Sequence, residues 1–123
     1  MVGLLRNNGD AIKKLTSLLD EDTEIYTSAI NIHELVKGAN LSNDIQKNLE
    51  KVDALMQTIG ILPMDKNSAF ISGKISAQKE IRSRPIGQND IFIASIAINS
   101  KLKLVTRNKK HFGPIPNLEI EEW

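Results

Sequence analysis

Asp90-Ile91-Phe92-Ile93-Ala94-Ser95-Ile96-Ala97-Ile98, followed closely by Lys103-Leu104-Val105-Thr106, is the stretch that decides the fold. Its first part carries one charge, at its start, and then turns an apolar side chain to almost every direction. Such a segment reads as a helix buried on most sides, running from Asp90 to about Asn99. Its second part is short and ends in polar side chains, which reads as a strand. A buried helix feeding a short apolar strand is the repeating unit of an α/β domain around a mainly parallel sheet. An acid that opens such a helix is held at the edge of a core. There it must be capped, paired or bound to a metal.

The rest of the chain fits the same alternation. Glu24 to Ser28 is short and rich in β-branched and aromatic residues, so it reads as a strand. A short helix follows at about Asn31 to Lys37, with Gly38 as its stop and Ile32, Leu35 and Val36 on its inner side. Glu34 lies about 200° around from Ile32, so it can face a neighbouring cleft rather than the core. Ile45, Leu49, Val52 and Met56 mark an amphipathic helix from about Asn43 to Gln57, with Gly60 ending it and Ile61-Leu62-Pro63 as a strand. Asp65 is expected to cap a helix to about Arg82, with Phe70, Ala77 and Ile81 on one face. Arg84-Pro85-Ile86-Gly87 reads as a connection. Leu118-Glu119-Ile120 is a candidate last strand, and Asp10 to Asp20 a candidate first helix. In such sheets function gathers beyond the C-terminal ends of the strands, where this reading places Thr106 and Asn108.

Composition excludes several classes. A chain of 123 residues is one domain by length, large enough to bury a core without staples. Hydrophobic content of 41% and charged content of 25% are globular values. The net charge of +1 neither favours nor opposes nucleic acid, because a local basic patch can hide in a neutral total. There is no cysteine, which removes disulfides and thiolate zinc sites and suggests a reducing cytoplasm. Only His33 and His111 are histidines, so a polyhistidine metal site is not expected. No apolar run reaches the roughly 20 residues that span a bilayer.

Glu34, Asp90 and Asn108 are the residues whose oxygens can serve one Mg²⁺ or Mn²⁺, since these ions take hard oxygen ligands and keep several waters. Each also has a plainer reading. Asp90 is a first-turn acid favoured by the helix dipole. Glu34 is a solvated or ion-paired acid, Asn108 a turn residue. His33 and His111 are surface or packing residues. Arg107-Asn108-Lys109-Lys110-His111 is a solvated basic loop, or a patch that contacts phosphates beside a metal cleft. Spacing alone does not bring these residues together.

Their order along the chain resembles the PIN-domain ribonucleases, especially the VapC-type toxins of prokaryotic toxin–antitoxin pairs. The resemblance is carried by Thr27-Ser28-Ala29-Ile30-Asn31-Ile32-His33-Glu34-Leu35, by Ile86-Gly87-Gln88-Asn89-Asp90-Ile91-Phe92-Ile93-Ala94, by Leu104-Val105-Thr106-Arg107-Asn108 with His111-Phe112, and by Leu118-Glu119-Ile120. It covers nearly the whole chain. It implies a three-layer α/β fold and a metal-dependent endoribonuclease selective for single strands. Glu34 and Asp90 then match the family's acids and hold Mg²⁺ or Mn²⁺ with Asn108, which stands where many members carry a further Asp. Thr106 matches the supporting hydroxyl. The metal activates water for in-line attack on a phosphodiester. The resemblance further implies a homodimer, a VapB-like antitoxin as partner, a cytoplasmic location, and RNA contacts from Arg107, Lys109 and Lys110.

The sequence departs from the family at its front. Members usually open with an apolar strand that ends in Asp. Val2-Gly3-Leu4-Leu5-Arg6-Asn7 resembles what comes just after that Asp. The expectation is therefore a single PIN-like domain over residues 1–123, N-terminally truncated, whose central strand and first acid are missing, with Met1 internal to a longer natural chain. Asp10 is a poor substitute, being at or inside the first helix. Two rival functions follow: a catalytically impaired PIN-like module that binds RNA or antitoxin, and a PIN nuclease of RNA processing.

Overall fold

A computed structural model of the chain describes residues 2–5, 24–106 and 108–122. Five parallel strands form one sheet in the order β3-β2-β1-β4-β5. They are β1 (Val2–Leu5), β2 (Glu24–Ser28), β3 (Gly60–Leu62), β4 (Lys103–Thr106) and β5 (Ile120–Glu122). The helices are α1 (Ala29–Asn40), α2 (Ile45–Met56), α3 (Lys66–Ala77), α4 (Lys79–Arg82), α5 (Gln88–Asn99) and α6 (Lys109–Phe112). No helix among the described residues is long and apolar enough to cross a membrane.

The centre of the sheet is β1. Val2–Leu5 lies there, with Gly3 opposite Ile25 on one side and Lys103 on the other. The physical reason is the demand for pairing: β2 and β4 each present a buried row of backbone donors and acceptors, and a four-residue run between them satisfies both. β1 contains no acid. Asp10 and the helix expected from Asp10 to Asp20 lie outside the described residues.

Both faces of the sheet are covered, as β4 shows. Successive side chains of a strand point to opposite faces. Leu104 joins the larger core, with Ile91, Ile93, Ala94, Ile96 and Ala97 of α5, Ile75 of α3 and Phe112 of α6. Val105 joins Ile25, against which Leu55 and Ile59 pack. This is the layered α/β architecture that the sequence pattern implies, and α5 is buried over most of its surface as expected.

Three elements differ locally from their expected form. Gly38 does not stop α1, which continues to Asn40; a glycine inside a helix costs about 1 kcal/mol, and capping at both ends offsets it. Gly60 lies within β3 rather than ending α2, where it faces the Tyr26 ring across the β2–β3 ladder. The helix that begins at Asp65 breaks at Gln78 into α3 and α4. Its buried positions are Ser68, Ser72 and Ile75, whereas Phe70 is exposed. α3 packs along α5, and the face it buries is made of two small serines and Ile75.

Candidate active site

The site is built at the C-terminal edge of the sheet from elements that enter or leave it there. β2 ends at Ser28, which is fully buried and caps α1. The Asn31 backbone N–H donates to Ser28 Oγ at 3.1 Å, satisfying one of the free donors of the first turn. Ser28 therefore fixes the direction in which α1 leaves the strand. Glu34 stands near the second turn of that helix, half-buried. Asn89 reaches it from α5, donating through Nδ2 to Glu34 Oε1 at 3.3 Å.

Asp90 lies in the first turn of α5, which starts after Gly87 with no side-chain cap. The positive end of the helix dipole favours a carboxylate there. The side chain is only 15% exposed, and its Oδ2 lies 2.8 Å from His111 Nε2. His111 comes from α6, so this contact joins the entry to α5 with the element that follows β4. The His111 ring stands edge-on to Phe112, with centroids 5.1 Å apart and planes at 88°. Phe112 is itself fully buried in the main core.

Thr106 ends β4 and is buried, and its Oγ1 accepts the Asn108 backbone N–H at 3.1 Å. That bond shapes the turn into α6, where Asn108 occupies the cap position. Asn108, Lys109 and Lys110 are exposed on this turn. Arg107 lies outside the described residues.

Glu34 and Asp90 line one open cleft of about 420 Å³, together with Gly87, Gln88 and Asn89. A second hollow of about 320 Å³ shares Glu34 and Asn89 and extends past His33 and Lys37 to Leu41. The fold thus brings the two acids to one place from α1 and α5. Asn108, Lys109 and Lys110 do not line that cleft; they stand on the adjoining turn that His111 ties to Asp90. Among the described residues, no three or more of His, Cys, Asp and Glu gather as a metal-binding group. Two carboxylates on an open cleft fit a hard cation that keeps much of its water, and do not fit a closed structural site.

Two residues of this arrangement escape sequence reasoning. His111 reads as a surface or packing residue, yet it contacts Asp90. Asn89 has no role in the sequence reading, yet it bonds Glu34 across 55 positions. Neither contact has a local signal, because both depend on how α1, α5 and α6 meet.

The PIN domain family profile matches residues 2–114. Ribonuclease VapC2 of Rickettsia felis is 32% identical over 97% of this chain and 89% of its own length. The tRNA(fMet)-specific endonuclease VapC of Salmonella typhimurium is 29% identical over 97% of this chain and 89% of its own. Among solved structures, a chain of VapBC2 from Rickettsia felis, bound to a DNA fragment from its promoter, superposes with a TM-score of 0.87 at 31% identity. That match covers all of this chain and 99% of the other.

Proposed function

This chain belongs to the PIN-domain family, and we propose that it is the toxin of a VapBC-type pair, an endoribonuclease that cuts single-stranded RNA with Mg²⁺ or Mn²⁺. The observation that carries this reading is the meeting of Glu34 and Asp90 on one cleft at the C-terminal edge of a parallel sheet. The full-length similarity to VapC ribonucleases supports the activity. The toxin–antitoxin complexes among the related structures support a VapB-like antitoxin as partner. A homodimer and a cytoplasmic site of action complete the proposal.

Glu34 and Asp90 would hold the cation as hard oxygen donors, with Asn108 on the adjoining turn as the candidate further donor. Bound there, the ion supplies charge neutralisation at the scissile phosphoryl group and a more acidic water. The chain's own groups orient the parts. His111 holds one oxygen of Asp90, and Asn89 holds one of Glu34. Thr106 shapes the turn that carries Asn108. Lys109 and Lys110, with Arg107 beside them in sequence, would pair with phosphates flanking the cut.

Asp90→Asn keeps the shape of the side chain and removes its charge. It should abolish metal-dependent cleavage of single-stranded RNA while the circular dichroism spectrum is retained; full activity in that variant would overturn the site. A second reading, a PIN-like module that binds RNA or antitoxin without cutting, is favoured by the absence of a third acid beside Glu34 and Asp90 among the described residues. RNA binding by the wild-type chain with no turnover at saturating Mn²⁺ would select it.

A further inference from the structure

We propose that His111 is a positioning residue of the acidic cleft: its Nε2 fixes the Asp90 carboxylate and so sets how tightly the cleft takes a divalent cation. The proposal rests on the reading of Asp90 as a cation ligand. Its ground is a chain of contacts that begins in the core. Phe112 is fully buried among residues of α3, α5 and β4. Its ring holds the His111 ring edge-on at 5.1 Å. The His111 backbone is held too, since its N–H donates to the Asn108 carbonyl at 3.0 Å. From that anchored ring, Nε2 reaches Asp90 Oδ2 at 2.8 Å.

An aspartate on a helix surface has rotamer freedom that a cation must suppress on binding. His111 removes part of that freedom in advance, so less ordering is left to oppose the ion. Hydrogen bonds behind a ligating carboxylate typically account for about 10–100-fold in metal affinity. The same contact has a second consequence. It joins the start of α5 to α6 across the end of β4, so the turn bearing Asn108, Lys109 and Lys110 is fixed relative to Asp90.

The test uses the full chain and Mn²⁺, whose free aquo ion is counted by electron paramagnetic resonance. His111→Ala should weaken Mn²⁺ binding about 10-fold. His111→Gln, whose amide nitrogen stands near the place of Nε2, should recover most of that loss. His111→Asn, too short to reach Oδ2, should not, and it serves in place of the alanine variant should that one fail to fold. Asp90→Asn and the double variant Asp90→Asn/His111→Ala should bind Mn²⁺ equally weakly, since the histidine acts only through the acid. In RNA cleavage, His111→Ala should lose kcat at low Mn²⁺, regain it as Mn²⁺ is raised, and leave KM for RNA unchanged.

The outcomes separate cleanly. Wild-type Mn²⁺ affinity in His111→Ala or His111→Asn, with affinity lost in Asp90→Asn, would overturn the positioning role and leave the Asp90 site standing. Unchanged affinity in both His111→Ala and Asp90→Asn would overturn the site and this inference with it. A directly bonded ¹⁴N in the Mn²⁺ spectrum would make His111 a ligand, which also overturns the positioning role.

Discussion

Gly60→Ala gives a sharp test of the packing between the second and third strands. Tyr26 pairs with Gly60 in the parallel ladder. A methyl group built on Gly60 would lie 2.5 Å from Tyr26 Cδ1 and 2.7 Å from Cε1, inside van der Waals contact. Gly60 has no positive φ, so alanine suits its backbone and only the ring opposes it. The ring is not free to swing away without loss. It packs against the main core, and its hydroxyl donates to Glu24 Oε2 at 3.2 Å. Overpacking of this kind costs about 1–3 kcal/mol. The low end is expected here, because the obstacle is a half-buried side chain and not backbone. In a Tyr26→Ala background the obstacle is gone, and the same Gly60→Ala change should stabilise by about 0.4–1 kcal/mol through the unfolded chain's lost freedom. Urea unfolding of the four proteins measures the cycle. The refuting result is a Gly60→Ala effect of the same sign and size in both backgrounds, which would mean that the Tyr26 ring does not lie over Gly60.

Three further outcomes follow from particular contacts. Ser28→Ala removes the buried cap of α1 and should cost about 1 kcal/mol in urea unfolding; because that cap also aims the helix bearing Glu34, RNA cleavage should fall with it. Asp65 has its carboxyl held below the usual range, first by the Ser68 backbone N–H and also by Asn99. A lowered folded-state value means that its contribution is present above the unfolded value of about 4 and is lost as pH falls through the folded one. Acid titration of stability should therefore fall less steeply below about pH 4 in Asp65→Asn than in the wild type. If Lys109 and Lys110 contact phosphates, replacing each with alanine should lower the log–log salt slope of RNA binding by about 0.7; an unchanged slope would remove them from the interface.

Much of the fold was legible because it follows from short-range pattern. The strand at Glu24–Ser28, the buried helix after Gly87 and the strand at Lys103–Thr106 are each set by their own apolar content, and each appears where the pattern puts it. The cap at Asp65 was legible for the same reason: the acid stands at the start of its helix, and its Oδ1 accepts the Ser68 N–H at 2.8 Å. What failed were residues whose meaning lies across space. Gly60 looks like a helix stop, yet Tyr26, 34 positions earlier, explains it. Phe70 looks like core by its spacing, yet the face that α3 buries carries Ser68, Ser72 and Ile75 instead.

The candidate site divides along the same line. Glu34 and Asp90 were legible as unusual acids, one beside a helix face and one at a buried helix start. Their meeting was not, since nothing local relates α1 to α5. The two acids also arrive on supports of different kind. Asp90 is carried by a helix buried over most of its surface and is braced from α6 by His111. Glu34 is carried by a helix that buries only Asn31 and Ala39 and turns Ile32 and Val36 toward a groove shared with α2. Asn89, an exposed residue, reaches it with a hydrogen bond of 3.3 Å. On the proposed reading, a cation between such unequal supports would take its position from the stiffer one. Asp90, on the more deeply buried helix, would then be the fixed reference of the cleft, and Glu34 the group that adjusts to it. On that reading a residue that merely braces Asp90 would matter more to the chemistry than its distance from any reacting atom suggests.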